Sequence, residues 1–149
     1  MMVARMRWWH IAEILPIEAD LFGEERWSPG MFWNELANDN RYVVALDDVG
    51  GVAGYAGLSM SPPDEAWVQN VAVRRDAQRR GIGTTLVTWL LDEARAWGAR
   101  SVLLEVAVDN APAQRLYARY GFEPVAVRKG YYQPSNTDAL VMLREESHQ

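Results

Sequence analysis

Cysteine is absent from the 149 residues. That excludes disulfides, zinc sites built on thiolates and a cysteine nucleophile, and it suits a reducing compartment. Histidine is nearly absent: His10 and His148 are the only two, and both read as surface residues near the chain ends. A Ser-His-Asp site or a multi-histidine metal cage therefore has almost nothing to draw on, and no metal is expected. Positive charge is the minority. Fifteen Lys and Arg against twenty Asp and Glu leave a net charge of −5, so broad attraction to nucleic acid is not expected. An acidic chain suits a small molecule or a basic peptide instead. No apolar run approaches the roughly 20 residues of a membrane span. The first residues, broken by Arg5, Arg7, His10 and Glu13, lack the apolar core of a signal peptide. These absences predict a cytoplasmic protein without a membrane partner.

What is present is balanced. Apolar residues make up 49% and charged residues 23%, the composition of a soluble globular chain. The length fits one domain, residues 1–149, with a frayed tail from about 145. Met2 to Trp8 reads as a strand, and His10 to Leu21 as a helix with Ile11, Ile14, Leu15 and Glu18 at helical spacing. Pro16 is expected to bend that helix. Ser28-Pro29 is a cap followed by proline at the first helical position, opening a helix to about Asn38. Tyr42–Leu46 and Val52–Met60 read as a hairpin, and Ala66–Val73 as a further strand. Ile82, Leu86, Leu90, Ala94 and Trp97 share one helical face, which Gly98 ends. Ser101–Val108 is an almost wholly apolar strand, as expected where both sheet faces are covered. Asn110 caps a helix to Tyr120, and strands over Glu123–Lys129 and Asp138–Arg144 close the chain. The order predicts an α/β fold, a mixed sheet of about seven strands with helices on both faces.

The stretch from Val71 to Thr84 carries the most chemistry. A strand ends at Val73, a basic loop with Arg79 and Arg80 follows, and Gly81 and Gly83 open the most amphipathic helix of the chain. A helix N-terminus leaves unpaired N–H groups and a positive dipole end, which together favour an anion. Gly81 and Gly83 let a phosphate approach the backbone, and the Thr84 hydroxyl adds a donor. The bland alternative is a glycine-opened helix beside solvated arginines. Neither the P-loop of ATPases nor the third glycine of the dinucleotide fingerprint is present. Glu105 interrupts the apolar run Val102 to Val106; it is either a general base or a strand-end glutamate paired with an arginine. Tyr117, on the following helix, is either a proton donor or a core tyrosine.

Gln78-Arg79-Arg80-Gly81-Ile82-Gly83 resembles the pyrophosphate loop of the GNAT superfamily of acetyl-CoA-dependent N-acetyltransferases. Leu104-Glu105-Val106, Asn110, Ala113, Leu116-Tyr117, Tyr120-Gly121-Phe122, Arg128, Tyr131-Tyr132 and Asp138-Ala139 are similar in spacing to its RimI-like branch, the ribosomal-protein alanine N-acetyltransferases. Trp27-Ser28 fits the same branch; Ala107 departs from it, standing where relatives often carry arginine. The resemblance implies a GNAT fold with the sheet splayed near the cofactor. It implies acetyl-CoA held by Val71, Ala72, Val73, Arg79, Arg80, Gly81, Ile82, Gly83, Thr84 and Asn110. Backbone N–H groups of Val71 to Val73 would face the acetyl group, Glu105 would be the base and Tyr117 the general acid.

By the same resemblance the acceptor is the N-terminal alanine of a small-subunit ribosomal protein; the acidic balance of the chain suits a basic peptide, and a monomer or weak dimer is expected. Acceptor choice is expected in the loop before Trp27 and in Gly130 to Asp138, where Tyr131 and Tyr132 either wall a peptide channel or end a strand. Glu24 and Glu25 are expected to be solvated charges. Lysine side chains or small amines as acceptors, and a non-catalytic coenzyme-A-binding module, are the competing readings.

Overall fold

The computed structural model describes residues 1–38 and 40–146. The chain opens with β1 (Met2–Arg5) and a tight turn at Trp8–His10, then α1 (Ile11–Phe22) and α2 (Pro29–Ala37). Three antiparallel strands follow, β2 (Arg41–Leu46), β3 (Val52–Ser61) and β4 (Glu65–Val73). Next come α3 (Ile82–Trp97), β5 (Ser101–Ala107), α4 (Ala111–Arg119), β6 (Glu123–Tyr132) and β7 (Thr137–Glu145). They form one seven-stranded mixed sheet in the order β1-β2-β3-β4-β5-β7-β6.

Local chemistry sets the helix ends. Ser28 accepts the Met31 N–H through its hydroxyl with Pro29 just inside α2. Asn110 caps α4 through the Ala113 N–H, and Gly98 closes α3 in the left-handed conformation at φ 101°. Leu86, Leu90 and Ala94 of α3 bury against Val43, Ala56, Val102 and Leu104 on one face of the sheet. On the other face Ile11, Ile14 and Ile17 of α1 and Phe32 of α2 pack on Val44 and Tyr55. Gly54 permits the close seat of α3: a Cβ there would lie 2.9 Å from the Ala72 carbonyl and 3.2 Å from Ile82 and Leu86. That seat aims the start of α3 at the end of β4.

The central feature is a parting of strands. β4 and β5 run parallel but pair only over Glu65–Ser101, Ala66–Val102 and Trp67–Leu103. Beyond these they diverge, while β3 holds β4 as far as Val73 and β7 holds β5 as far as Ala107. A bulge at Gln69 adds to the divergence, since two residues opposing one bend a strand.

Several expectations need correction. The first strand stops at Arg5, because Met6 turns into the core and Trp8–His10 form a tight turn before α1. α1 buries Ile17 rather than Leu15 along with Ile11, Ile14 and Glu18. His10 is not a surface residue: it is 8% exposed, and its Nδ1 accepts the Arg7 N–H at 2.8 Å. His148 lies outside the described residues. Nor does the chain fray from 145. Glu145 ends β7, and the Glu146 N–H donates to the Arg100 carbonyl at 2.7 Å; residues 147–149 of the expected tail lie outside the described residues. The stretch from Gly130 to Asp138 is a β6–β7 hairpin closed by a turn at residues 133–136, with a register shift between Arg128 and Tyr132, rather than a long loop.

Burial lowers the His10 pKa below its ordinary 6.5. A depressed histidine pKa means that the unfolded chain takes up the proton first. His10 therefore contributes stability above pH 6.5 that is lost as pH falls through its folded value. Urea midpoints at pH 7.5 and 5.5 test this: His10→Asn should lose less stability between the two than the parent does.

Candidate active site

The parted strands open a cleft of about 470 Å³, lined by Val68 to Val71 of β4 and Leu104 to Ala107 of β5. Strand alternation places two kinds of residue around it. Leu104 and Val106 pack into the α3 core, so Glu105 projects to the opposite face, towards α1. Tyr117 packs with the α3 side, edge-on to Phe122 at 5.8 Å. Both Glu105 and Tyr117 line the cleft. It therefore passes through the sheet, with a carboxylate on one face and a phenol on the other.

Glu105 has a side-chain exposure of 13% and receives one Arg128 N–H at 2.8 Å on Oε1. Its Oε2 is buried and has no hydrogen-bond partner among the described residues. The arginine-paired glutamate foreseen as the bland alternative is thus present. Arg128 also lies over the Tyr131 ring, 4.8 Å from its centroid. Burial pushes the Tyr117 phenol up to about 12, so it carries its proton throughout the physiological range.

The backbone at the mouth of the parting follows from register. The Arg74 N–H donates to the Ala53 carbonyl at 2.7 Å, and Tyr55 pairs with Ala72 two residues back. N–H groups alternate sides along a strand. Those of Val71 and Val73 therefore point away from β3 towards the cleft, whereas that of Ala72 is used within the sheet. Ala72 also turns its side chain into the core below α1. Of the three backbone donors expected there, two remain.

The basic loop divides in the same way. Arg74 binds Asp47 at 3.2 Å and the Val52 carbonyl at 3.0 Å, and Arg75 binds Asp20 of α1 at 3.0 Å. These two are structural. Arg79 and Arg80 are exposed, with no ion pair among the described residues. Arg79 takes φ 66°, and Gly81 caps α3 at φ 81° with no atom within 4 Å of a Cβ there. The first backbone bond of α3 runs from the Thr85 N–H to the Gly81 carbonyl, which leaves the N–H groups of Ile82, Gly83 and Thr84 before it. Gly83 rests on Val73, 3.8 Å from where its Cβ would be, and Thr84 is exposed. The Gln78 side chain braces the loop by donating to the Val73 carbonyl at 3.1 Å.

On the α1 face the cleft is bounded by Trp27 and Tyr132, and Asn110 and Ala113 border it near α4. Tyr131 does not line it; it stays under Arg128, and burial together with the neighbouring Glu105 charge raises its phenol pKa. Glu25 is more than a solvated charge, since it accepts the Ser135 N–H at 3.2 Å and joins the loop before α2 to the β6–β7 turn. Two residues given no role from sequence prove central to the geometry. Arg128 partners Glu105, and Glu18 is a buried carboxylate beside the cleft. The available signal for Glu18 was a charge on the apolar face of α1.

This architecture is that of an acyltransferase. The model of the acetyltransferase (GNAT) family matches residues 5–122, and the chain belongs to that family, whose members use acetyl-CoA. It is an N-acetyltransferase. It is 41% identical over 133 residues to the N-alpha-acetyltransferase RimI of Mycobacterium tuberculosis, covering 87% of this chain and 82% of that protein. It is 40% identical over 105 residues to the ribosomal protein bS18-alanine N-acetyltransferase of Escherichia coli, covering 68% of this chain and 70% of that protein. The crystal structure of the Escherichia coli ribosomal-protein-S18-alanine N-acetyltransferase superposes with a TM-score of 0.89 at 27% identity, covering 99% of this chain and 95% of that one.

Proposed function

We propose that this chain moves the acetyl group of acetyl-CoA to the N-terminal amine of a protein, and that the acceptor is the N-terminal alanine of a small-subunit ribosomal protein in the cytoplasm. The observation that carries the chemistry is the lone Oε2 of Glu105, buried without a partner in a cleft that crosses the sheet. The acceptor rests on the relatives' activity and on the acidic balance of the chain.

Acetyl-CoA supplies a thioester carbonyl that an amine can attack. The residues fit that co-substrate. Ile82, Gly83 and Thr84 offer N–H groups at the start of α3, Arg79 and Arg80 offer free cations, and Gly81 keeps the approach open. Asn110 and the strand Val71 to Val73 border the path to the cleft. An α-amine has a pKa of about 7.7–8.0, so a fraction is neutral near pH 7.5 and one base suffices. Glu105 Oε2 takes the proton that the amine sheds as its nitrogen bonds to the carbonyl carbon. Val71 and Val73 donate their N–H groups to the oxygen that gains charge. Tyr117 donates to the sulfur as the carbon–sulfur bond breaks. With no cysteine in the chain, transfer is direct. Trp27 and Tyr132 wall the acceptor side, and Tyr131 acts through Arg128.

Gly81→Val tests the phosphate loop. Forcing a side chain into the left-handed region should cost about 1–2 kcal/mol of stability, visible as a lower urea midpoint. Calorimetry should show acetyl-CoA binding lost from the variant that still folds; undiminished binding would remove the loop from the site.

The acceptor is tested with two peptides. One with free N-terminal alanine and internal arginines should release coenzyme A thiol. A blocked copy with internal lysines should not, and equal rates would mark a lysine acetyltransferase. Binding of acetyl-CoA without release for any amine would mark a non-catalytic module.

Glu105→Gln preserves shape but not basicity, and kcat should fall roughly 10²–10³-fold with acetyl-CoA affinity little changed. Tyr117→Phe should lower kcat less, because water can serve the sulfur. Near-normal turnover of Glu105→Gln would make Glu105 structural.

A further inference from the structure

Glu18 is the most completely enclosed carboxylate bordering the cleft. It is 1% exposed and sits on α1 among Ile14, Ile17 and Tyr55. Three donors from three separate elements converge on it. Oε1 accepts the Tyr55 hydroxyl of β3 at 2.8 Å and the Asn70 amide of β4 at 3.0 Å. Oε2 accepts the backbone N–H of Trp27, in the loop before α2, at 3.0 Å. A charge in such a place is costly unless it is hydrogen-bonded, and an apolar residue would fill the space without that cost.

The positions of the donors show what the carboxylate secures. Asn70 stands where β4 has left β5, next to the Gln69 bulge and to Val71, whose N–H faces the cleft. Trp27 is on the acceptor side of the same cleft. A backbone donor fixes the loop irrespective of the tryptophan ring, which separately packs on Phe32 at 5.2 Å. Glu18 thus links the loop that borders the acceptor to the strand that borders the acetyl group.

We infer that Glu18 is a positioning residue for acyl transfer: its carboxylate sets the acceptor loop at Trp27 in register with β4 at Asn70, and so determines how well the acceptor amine is placed. This rests on the acyltransfer reading above. Glu18 takes no proton from the substrate and touches neither reactant, because its accepting atoms are already occupied and enclosed.

Glu18→Gln discriminates. A glutamine of the same shape has one accepting oxygen and one donating nitrogen. Its oxygen can serve Tyr55 and Asn70, or Trp27, but not both groups. The acceptor KM should rise roughly tenfold or more, the scale of a lost charge-assisted bond, while acetyl-CoA affinity stays within about twofold. The Trp27 amide proton, followed by NMR, should lose the downfield shift of a carboxylate-bound N–H. Asn70→Ala, which cuts only the link to β4, should raise the acceptor KM by a smaller factor and leave the Trp27 amide where it was. An unchanged acceptor KM in Glu18→Gln overturns the inference. If Glu18→Gln does not fold, an unchanged acceptor KM in Asn70→Ala overturns it instead. Parent enzyme that acetylates no amine would refute the acyltransfer reading itself, a result separate from either.

Discussion

Everything at the site depends on β4 and β5 ceasing to pair after Trp67 and Leu103. Unpaired backbone donors are unfavourable when buried, so a sheet does not open at its centre without restraint from both sides. Here β3 pairs with β4 through Val73 and β7 pairs with β5 through Ala107, and each strand is fixed along its outer edge while its inner edge is bare. The α3 crossover that makes the two strands parallel also starts at the open end. Its free N–H groups therefore lie close to the end of β4, where Gly83 rests on Val73. On the function proposed above, one topological choice supplies the turn for the phosphates, the donors for a developing oxyanion and the passage through the sheet.

Two glutamates beside that passage show how environment divides labour among identical side chains. Glu18 and Glu105 are both largely buried, but Glu18 has three donors and Glu105 has one arginine. A carboxylate has about four lone-pair sites. Three donors on Glu18 tie three elements together, whereas Oε2 of Glu105 has no hydrogen-bond partner among the described residues. Arg128 holds Glu105 in one orientation and occupies only Oε1.

Local pattern made much of this legible. Ser28-Pro29, Asn110, Gly98 and the stripe Ile82 to Trp97 mark helix limits through interactions within a few residues, and the structure has each in place. The Arg79 to Thr84 loop was readable because a strand, a basic turn and a glycine-opened helix are contiguous. The misreadings share a cause in long-range contacts. His10 is enclosed by tertiary packing and Glu25 reaches a partner 110 residues away. Arg128 meets Glu105 across 23 residues, and Glu18 meets Tyr55 and Asn70 across 37 and 52. Arg74 and Arg75, unlike Arg79 and Arg80, are claimed by Asp47 and Asp20. No periodicity encodes such pairings.

Tyr117 brings the last constraint into view. The packing that places its ring against Phe122 also raises its pKa to about 12, above a thiol near 8.5. A phenol that is the weaker acid does not hand its proton to a thiolate spontaneously; it donates a hydrogen bond first, and that bond strengthens as charge collects on the sulfur. Burial thus has opposing effects, since it keeps the donor protonated at every physiological pH and makes complete transfer uphill. In the proposed mechanism the favourable effect dominates while the carbon–sulfur bond is breaking, because the hydrogen bond acts in a site with little competing water. Completing the transfer then falls to solvent reaching the opened cleft. On the other face of the sheet Glu105 has the reverse assignment in the proposed mechanism, an acceptor for the proton that the amine sheds. In that mechanism the proton is removed on one side and hydrogen bonding is supplied on the other, an arrangement that a passage through the sheet allows and a surface groove does not.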